Sequence, residues 1–417
     1  MTLSQELHAR GFVHQIAGES IEHILDGEKR VVYHGIDPSA DSAHAGNFVQ
    51  WILLRHLIND GHKVIFLVGG GTGRIGDPKP DAERTLSDTK VVDANVAKLK
   101  TQAERLLGTK DVQFVNNNDW LSALGLVDFL RDTGKHFTIN ELIKKDAIAR
   151  RMESEVGISY TEFAYPLLQA YDYLMLHRQY GCNLQIGGSD QWANIVAGVD
   201  LIRRTEKKTV YALTQALVID KATGKKFGKS EGNAVWLDAE KTSPYAFYQF
   251  WLNTSDENVI DFLKRFTFVS LPAIEALASE WEANPGGRLA QQRLADEVTT
   301  FVHGHAATAL ACEVSGILFG DIAIESISTA GIETLTANAP CVLVPSGVSL
   351  IDALVRSELA ASKREARTFI EGGAVQLNGA KVEDIELVVE KPAVGIALLK
   401  RGKKNLSVLT FSDQAHK

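Results

Sequence analysis

The chain has 417 residues and a mass of 45.6 kDa, with 45% hydrophobic and 23% charged residues, a balance that excludes disorder, collagen and a long coiled coil and suggests two or three domains. A formal net charge of −8 is a poor match to a surface that binds nucleic acid throughout, and three widely spaced cysteines (Cys182, Cys312, Cys341) exclude a disulfide framework or a cysteine zinc site. No apolar run approaches the roughly 20 residues of a membrane span, and Met1 to Glu6 lacks the pattern of a secretory leader, so the expectation is a cytosolic protein with no membrane partner.

Arg30 to Ile36 reads as a strand with β-branched residues. Asp41 or Ser42 is the expected cap of a helix over Ala45 to Asn59, where Phe48, Ile52, Leu53 and Leu57 recur at helical spacing. Lys63 to Val68 is an apolar run ending in three glycines, the pattern of a buried parallel strand. A helix over Thr89 to Leu107, a strand over Val112 to Val115 and helical segments up to Gln179 follow. A fourth strand is expected over Asn183 to Ile186, then a helix from about Ser189 to Arg204. Such alternation implies a parallel sheet covered on both faces, with ligands in the crevice at the carboxyl ends of the strands.

From about Ser243 to Phe319 the chain reads as helical, and a Gly/Ala/Pro/Val-rich stretch beginning at Thr329 reads as a linker. Ser362 and Glu365 form a capping-box pattern for a short helix, Gly372-Gly373 ends it, Ala374 to Leu377 reads as a strand, and Asn378-Gly379 is a hairpin turn. From Val348 onward there are 11 Lys and Arg against 9 Asp and Glu, so a mildly basic tail follows an acidic body.

Gly71-Thr72-Gly73-Arg74-Ile75-Gly76 matches a dinucleotide-binding fingerprint and directly follows a strand. Pro78 and Pro80 then stand where the phosphate-binding helix would run, so a nicotinamide site is rejected. The glycines instead admit close approach of the backbone to a ligand.

Two clusters carry more. His44-Ala45-Gly46-Asn47 opens a helix after the first strand, where free N–H groups attract anions, His44 and Asn47 add donors, and Gly46 leaves room for a planar base. Lys226-Phe227-Gly228-Lys229-Ser230 places two lysines three apart in a polar loop, suited to closing on a triphosphate. Taken singly, each reads as an ordinary capped helix or a solvated basic loop. Together they form the signature pair of the class I aminoacyl-tRNA synthetases. The chain resembles the bacterial-type tyrosyl-tRNA synthetases over essentially its whole length, through Tyr33 to Asn47, Leu67 to Pro78, Gly134 to Asn140, Thr161 to Tyr173, Leu184 to Trp192, Lys226 to Ser230 and the tail.

Tyr165, Gln169 and Asp172, spaced i, i+4, i+7, put three polar groups on one helix face. The resemblance implies that Tyr165, Gln169 and Asp77 hold the α-ammonium of tyrosine with Thr72 beside them. It implies that Tyr33 and Asp172 bond the phenolic hydroxyl and that Gln191 faces the carboxylate. It assigns ATP to Gly35, Asp37, Ser39, His44, Gly46, Asn47, Arg84, Gly188, Asp190, Lys226, Lys229 and Ser230, with His44, Asn47, Lys226 and Lys229 catalytic. Asn47 stands where many relatives have a second histidine, and Phe227-Gly228 replaces Met-Ser. The loop after Asp77 is one residue shorter than in some of them, which leaves open whether Lys79 is the counterpart of their loop lysine.

The implied fold class is α/β, with a Rossmann-like parallel-sheet catalytic domain and helical insertion over 1–225. A signature loop and α-helical domain over 226–328, a linker over 329–346 and a small α+β S-four-type RNA-binding domain over 347–417 complete it. Lys363, Arg364 and Arg367, with Arg356 nearby, are the expected RNA contacts, at the anticodon stem or variable arm. Basic pairs at 144–145, 150–151, 203–204 and 207–208 are further candidates. The implied activity is tyrosine–tRNA ligation with tRNA(Tyr), L-tyrosine and ATP accompanied by Mg2+, no tightly bound cofactor, and a homodimer. The sister tryptophan enzymes share the fold, but the Tyr33/Asp172 pair and the tail argue against them.

Overall fold

The alternation of strand and helix builds a six-stranded sheet in the computed structural model of the chain. The structure describes residues 1–417 except 80–81, 156, 228, 231–232, 321, 403–404 and 413–417, and only the backbone of 146, 229, 230 and 233. Two compact units result, one of Met1–Thr242 with Thr254–Glu297 and the other of Ser243–Asn253 with Val298–Lys417.

The first unit holds the sheet, with β1 (Gln15–Ala17), β2 (Val31–Ile36), β3 (Lys63–Val68), β4 (Val112–Asn116), β5 (Leu184–Gly188) and β6 (Tyr211–Gln215) in the order β1-β6-β5-β2-β3-β4. Strands β2 to β6 are parallel, and β1 adds an antiparallel edge against β6. Neither β1 nor β6 is legible as a strand in the sequence, because each is short and lacks a long apolar run. From Val64 to Val68, β3 is buried on both faces, and Trp51 of the Ala45–Asn59 helix packs edge-on against Phe66 with ring centroids 5.5 Å apart. The chain builds outward from β2 to β4, then crosses back to place β5 on the other side of β2. That reversal opens a crevice between β2 and β5 at their carboxyl ends.

The first unit is also closed by its earliest residues. Arg10, 2% exposed, donates to the carbonyls of Lys264 (3.0 Å), Thr267 (3.2 Å) and Val269 (2.8 Å), while its Nε bonds Glu6 at 2.9 Å. It thereby satisfies the Lys264 carbonyl in the last turn of the Asp256–Phe266 helix and the carbonyls of its cap Thr267 and of Val269 just beyond.

In the second unit the helices Pro244–Leu252, His305–Phe319 and Thr329–Asn338 precede a five-stranded sheet. Its strands run Ala380–Val382, Val375–Leu377, Ile396–Arg401, Asn405–Ser412, Cys341–Pro345, all antiparallel except the last pair. Residues 329–346, expected as a linker, instead carry a helix capped by Ser328 and a strand whose Val344 enters the core with Leu354, Ile370, Leu399 and Leu409. Ser362 caps the Lys363–Glu371 helix as anticipated, but the Glu365 carboxylate accepts the Ala361 N–H rather than that of Ser362. Asn378 and Gly379 both adopt positive φ (50° and 84°), the backbone of a two-residue type I′ hairpin turn.

Candidate active site

The crevice between β2 and β5 is a cavity of about 410 Å3. All seven residues expected to bind the amino acid line it: Tyr33, Thr72, Asp77, Tyr165, Gln169, Asp172 and Gln191. So do Gly35, Asp37, Ser39, Gly46, Asn47, Arg84, Gly188 and Asp190 from the expected nucleotide set. A larger cavity of about 620 Å3 lies beyond Asp77 and Asp190, which share its wall with Lys144, Lys145 and Arg204 of the basic pairs.

Asp172 ends the inner part of the cavity. Its two oxygens accept from Trp120 Nε1 (2.7 Å) and Asn117 Nδ2 (2.9 Å). Asn117 also donates to Thr72 Oγ1 (2.9 Å) and accepts the Gly71 N–H on Oδ1 (2.8 Å), so both its donors and its oxygen are engaged and its orientation is set. Thr72 passes the chain to Asp37 Oδ1 (2.8 Å), and Tyr165 OH donates to Asp37 Oδ2 (2.8 Å). A methyl group at Gly69 would collide with both Asp37 and Thr72, which explains a glycine there. Asp77 is held by Gln191 Nε2 (2.9 Å) and Asn194 Nδ2 (3.1 Å), so in this structure the Gln191 amide bonds Asp77. Behind them, half-buried Lys145 donates to Asn194 Oδ1 (3.2 Å) and the Ala193 carbonyl (3.1 Å), and desolvation draws its amine down to about 8.

Burial dominates the carboxylates. It pushes Asp172 up to about 7 and Asp37 up to about 6, against the downward pull of the hydrogen bonds each accepts. Asp77 is raised by the same cause. Buried Asp172 and the half-buried Asp37 and Asp77, with Gln169 Oε1, a buried acceptor with no partner among the described residues, make the inner cavity receptive to an ammonium group.

The rim has the opposite character. His44 is itself the cap of the Ala45–Asn59 helix, its Nδ1 accepting the Gly46 N–H at 3.0 Å, and Asn47 Oδ1 accepts the His44 N–H at 3.2 Å. Accepting on Nδ1 fixes the ring proton on Nε2, and accepting on Oδ1 leaves the Asn47 amide nitrogen as a donor. The expected caps are otherwise engaged: Asp41 is paired with Lys98 (2.9 Å) and Lys241 (2.6 Å), and Ser42 Oγ donates to the Ala43 carbonyl. The start of the Ala45–Asn59 helix is stitched to the stretch that follows the second signature by Ala45 N–H to Val235 O (2.8 Å) and Leu237 N–H to Ala43 O (2.9 Å). A methyl group at Gly46 would come within 2.9 Å of the Phe227 carbonyl, so this glycine admits the loop as well as a ligand. Lys226 Nζ lies 3.6 Å from Asp190 across the crevice, a solvent-exposed pair that is readily exchanged for another anion. The side chains of Lys229 and Ser230 lie outside the described residues.

Asp190 is no helix cap: the helix Trp192–Glu206 begins beyond it and has no side-chain cap bond. Nor does a helix start at the end of the glycine fingerprint: a single 3-10 turn (Thr72–Arg74) lies within it, and the next helix among the described residues is Thr89–Leu107. Sequence reading missed His34, Gln50, Asn117, Trp120, Gln185 and Asn194. Burial lowers His34 to about 4, so it lines the cavity as a neutral imidazole. The one available signal was a polar residue at the carboxyl end of a strand, which applies to Asn117 after β4. Three of the four basic pairs are not wholly surface charge: besides Lys145, Arg204 is half-buried and donates to the His136 carbonyl, and Arg151 is buried against Glu162 at 3.0 Å. Lys363, Arg364 and Arg367 are exposed on their helix, and Lys363 pairs with Asp352 at 2.7 Å.

Residues 26–320 match the family described as tRNA synthetases class I (W and Y), and residues 331–409 match the tyrosine–tRNA ligase SYY-like C-terminal domain. The chain is 47% identical to tyrosine–tRNA ligase 2 of Enterococcus faecalis over 98% of this chain and 99% of that one. It is 44% identical to the tyrosine–tRNA ligase of Streptococcus mutans over 99% and 100%. A C-terminally truncated mitochondrial tyrosyl-tRNA synthetase of Aspergillus nidulans superposes with a TM-score of 0.67 at 30% identity, over 74% of this chain and 92% of that one.

Proposed function

The chain belongs to the class I tRNA synthetases for tryptophan and tyrosine, and from that premise we propose how its residues divide the work. It is a tyrosine–tRNA ligase, activating tyrosine with ATP and passing it to tRNA. The observation that carries the division of roles is the polarity of the crevice, with carboxylates inside and cations and helix N–H groups at the rim.

In this reading tyrosine enters with its phenol toward Asp172 and Tyr33. A pocket with buried polar groups there rejects phenylalanine, which leaves them unpaired. Asp77, Tyr165 and Gln169 take the α-ammonium, and Gln191 with Asn194 orients Asp77. The tyrosine carboxylate attacks the α-phosphorus of ATP in line, forming tyrosyl-adenylate as the bond to pyrophosphate breaks. ATP brings Mg2+ on its phosphates, since a hard cation prefers those oxygens. Gly188 and Asp190 hold the ribose. His44 Nε2–H, the Asn47 amide, Arg84, Lys226 and Lys229 stabilise charge developing on the leaving pyrophosphate. A terminal ribose hydroxyl of tRNA then attacks the acyl carbonyl and AMP leaves. Both steps run on positioning and charge stabilisation, without a covalent enzyme intermediate.

Lys363, Arg364 and Arg367 contact tRNA(Tyr) from the second unit. Exposed Leu126, Val127 and Ile139 (72%, 76% and 60%) support a homodimer through the helical insertion, which sedimentation of the intact chain tests. No described helix is long and apolar enough to cross a membrane, and a cytoplasmic location, open to cell fractionation, fits the free thiols of all three cysteines. The deciding experiment for the pocket is ATP–pyrophosphate exchange without tRNA, comparing tyrosine, phenylalanine and tryptophan in wild type and Tyr33→Phe. Exchange with tyrosine alone, and a preference over phenylalanine that falls several-fold in the variant, is the expected result. An unchanged preference in the variant removes Tyr33 from the hydroxyl site.

A further inference from the structure

The segment after Asp77 brings Arg84 to the rim, and its backbone is held from behind by a buried ion pair that none of the roles above uses. Arg151, on the Asp146–Glu153 helix, is 1% exposed. Its Nη1 donates to the carbonyls of Ala82 (2.7 Å) and Lys79 (3.2 Å), its Nε to that of Gly157 (2.7 Å), and its Nη2 to Glu162 Oε2 (3.0 Å). Glu162, 2% exposed, accepts the backbone N–H of Arg84 on Oε1 at 3.1 Å. The Arg84 side chain then turns back, its Nε donating to the Asp77 carbonyl at 2.7 Å.

A buried ion pair is a poor stabiliser, because desolvation of two charges cancels most of their attraction, and an apolar pair of similar volume would serve the fold as well. An apolar pair could not grip two carbonyls of the segment and the amide of Arg84 at the same time. The geometry therefore suits placement rather than stability. Glu162 also lies in the first turn of the Tyr160–Tyr180 helix, which carries Tyr165, Gln169 and Asp172. One rigid element thus fixes both the amino-acid pocket and the anchor of the segment.

We propose that Arg151 and Glu162 are positioning residues for nucleotide binding: they hold the backbone of Lys79, Ala82 and Arg84 so that the Arg84 guanidinium meets the triphosphate. This rests on reading Arg84 as a triphosphate contact. The test is a double-mutant cycle in tyrosine-dependent pyrophosphate exchange, with KM for ATP and for tyrosine measured separately in Arg84→Ala, Arg151→Met and the double variant. Arg151→Met should raise the ATP KM about tenfold or more while tyrosine KM stays within about twofold. The double variant should be no worse than Arg84→Ala alone, since a support has nothing to do once its load is gone. Arg151→Lys, which keeps the charge but not the planar fork, should fall between wild type and Arg151→Met.

Effects that multiply in the double variant, an equal rise in both KM values, or an unchanged ATP KM in Arg151→Met would each overturn the proposal. If Arg84→Ala leaves the ATP KM unchanged, the reading of Arg84 fails and the proposal with it. If Arg84→Ala raises it and Arg151→Met does not, the proposal alone fails. Should Arg151→Met not fold, Glu162→Gln keeps the size of the side chain and a neutral acceptor for Arg84, and carries the same cycle with a smaller rise of about threefold expected.

Discussion

Asp172 is reached by two hydrogen bonds, from Asn117 and Trp120, and still holds its proton to about pH 7, because burial outweighs both. A carboxyl raised above its ordinary value stabilises the fold fully below about pH 4, and that contribution is lost as pH rises through the folded-state value. Asp172→Asn removes the part that belongs to this residue. Its stability relative to wild type should therefore improve between pH 5 and pH 7.5, by roughly 2 kcal/mol, in thermal melts of the unliganded protein. The same offset at both pH values would mean that Asp172 titrates as an ordinary carboxyl. The sequence made Asp172 visible through its helical spacing with Tyr165 and Gln169. It could not show Asn117 or Trp120, because the contact runs from the end of one strand to a helix more than 50 residues later. Sequence periodicity reports which face a residue shares, not what meets that face.

His44 belongs to a helix as much as to a site. Since it caps the Ala45–Asn59 helix, His44→Ala should lower stability by about 1 kcal/mol and slow tyrosine activation on the order of a hundredfold, with little effect on tyrosine affinity. His44→Ser separates the two roles: a serine restores the cap, so the melting temperature should recover while the single-turnover rate does not. Recovery of the rate as well would reduce the histidine to a cap. The sequence pointed to Asp41 or Ser42 on residue preference alone, and the pairing of Asp41 with Lys98 and Lys241 is a tertiary fact that preference cannot anticipate. The strand at Cys341–Pro345 was hidden for a related reason. With prolines on either side and one buried position, it becomes a strand only because Asn405–Ser412 pairs with it.

Across the whole molecule, an acidic body is followed by a mildly basic tail, which carries the proposed tRNA contacts. Reversing charge at Lys363, Arg364 and Arg367 together should leave pyrophosphate exchange intact and weaken tRNA charging at least about tenfold, with a shallower salt dependence. Equal loss in both assays would show that the change had reached the catalytic unit instead. The parallel sheet and its crevice were legible because long apolar runs followed by glycine announce buried strands; the division into units was less so, since the first unit resumes at Thr254 after the second has contributed a helix. Arg10 extends that point into time. Its carbonyl partners are 254 to 259 residues away, so on an emerging chain the guanidinium can bond Glu6 but none of those carbonyls until residues 264 to 269 have been made. Contacts of such long sequence separation are slow to form and leave apolar surface bare while they wait. The catalytic unit is thus a late-closing structure, and its unfinished form, rather than its finished one, is the state in which a chaperone would find something to hold.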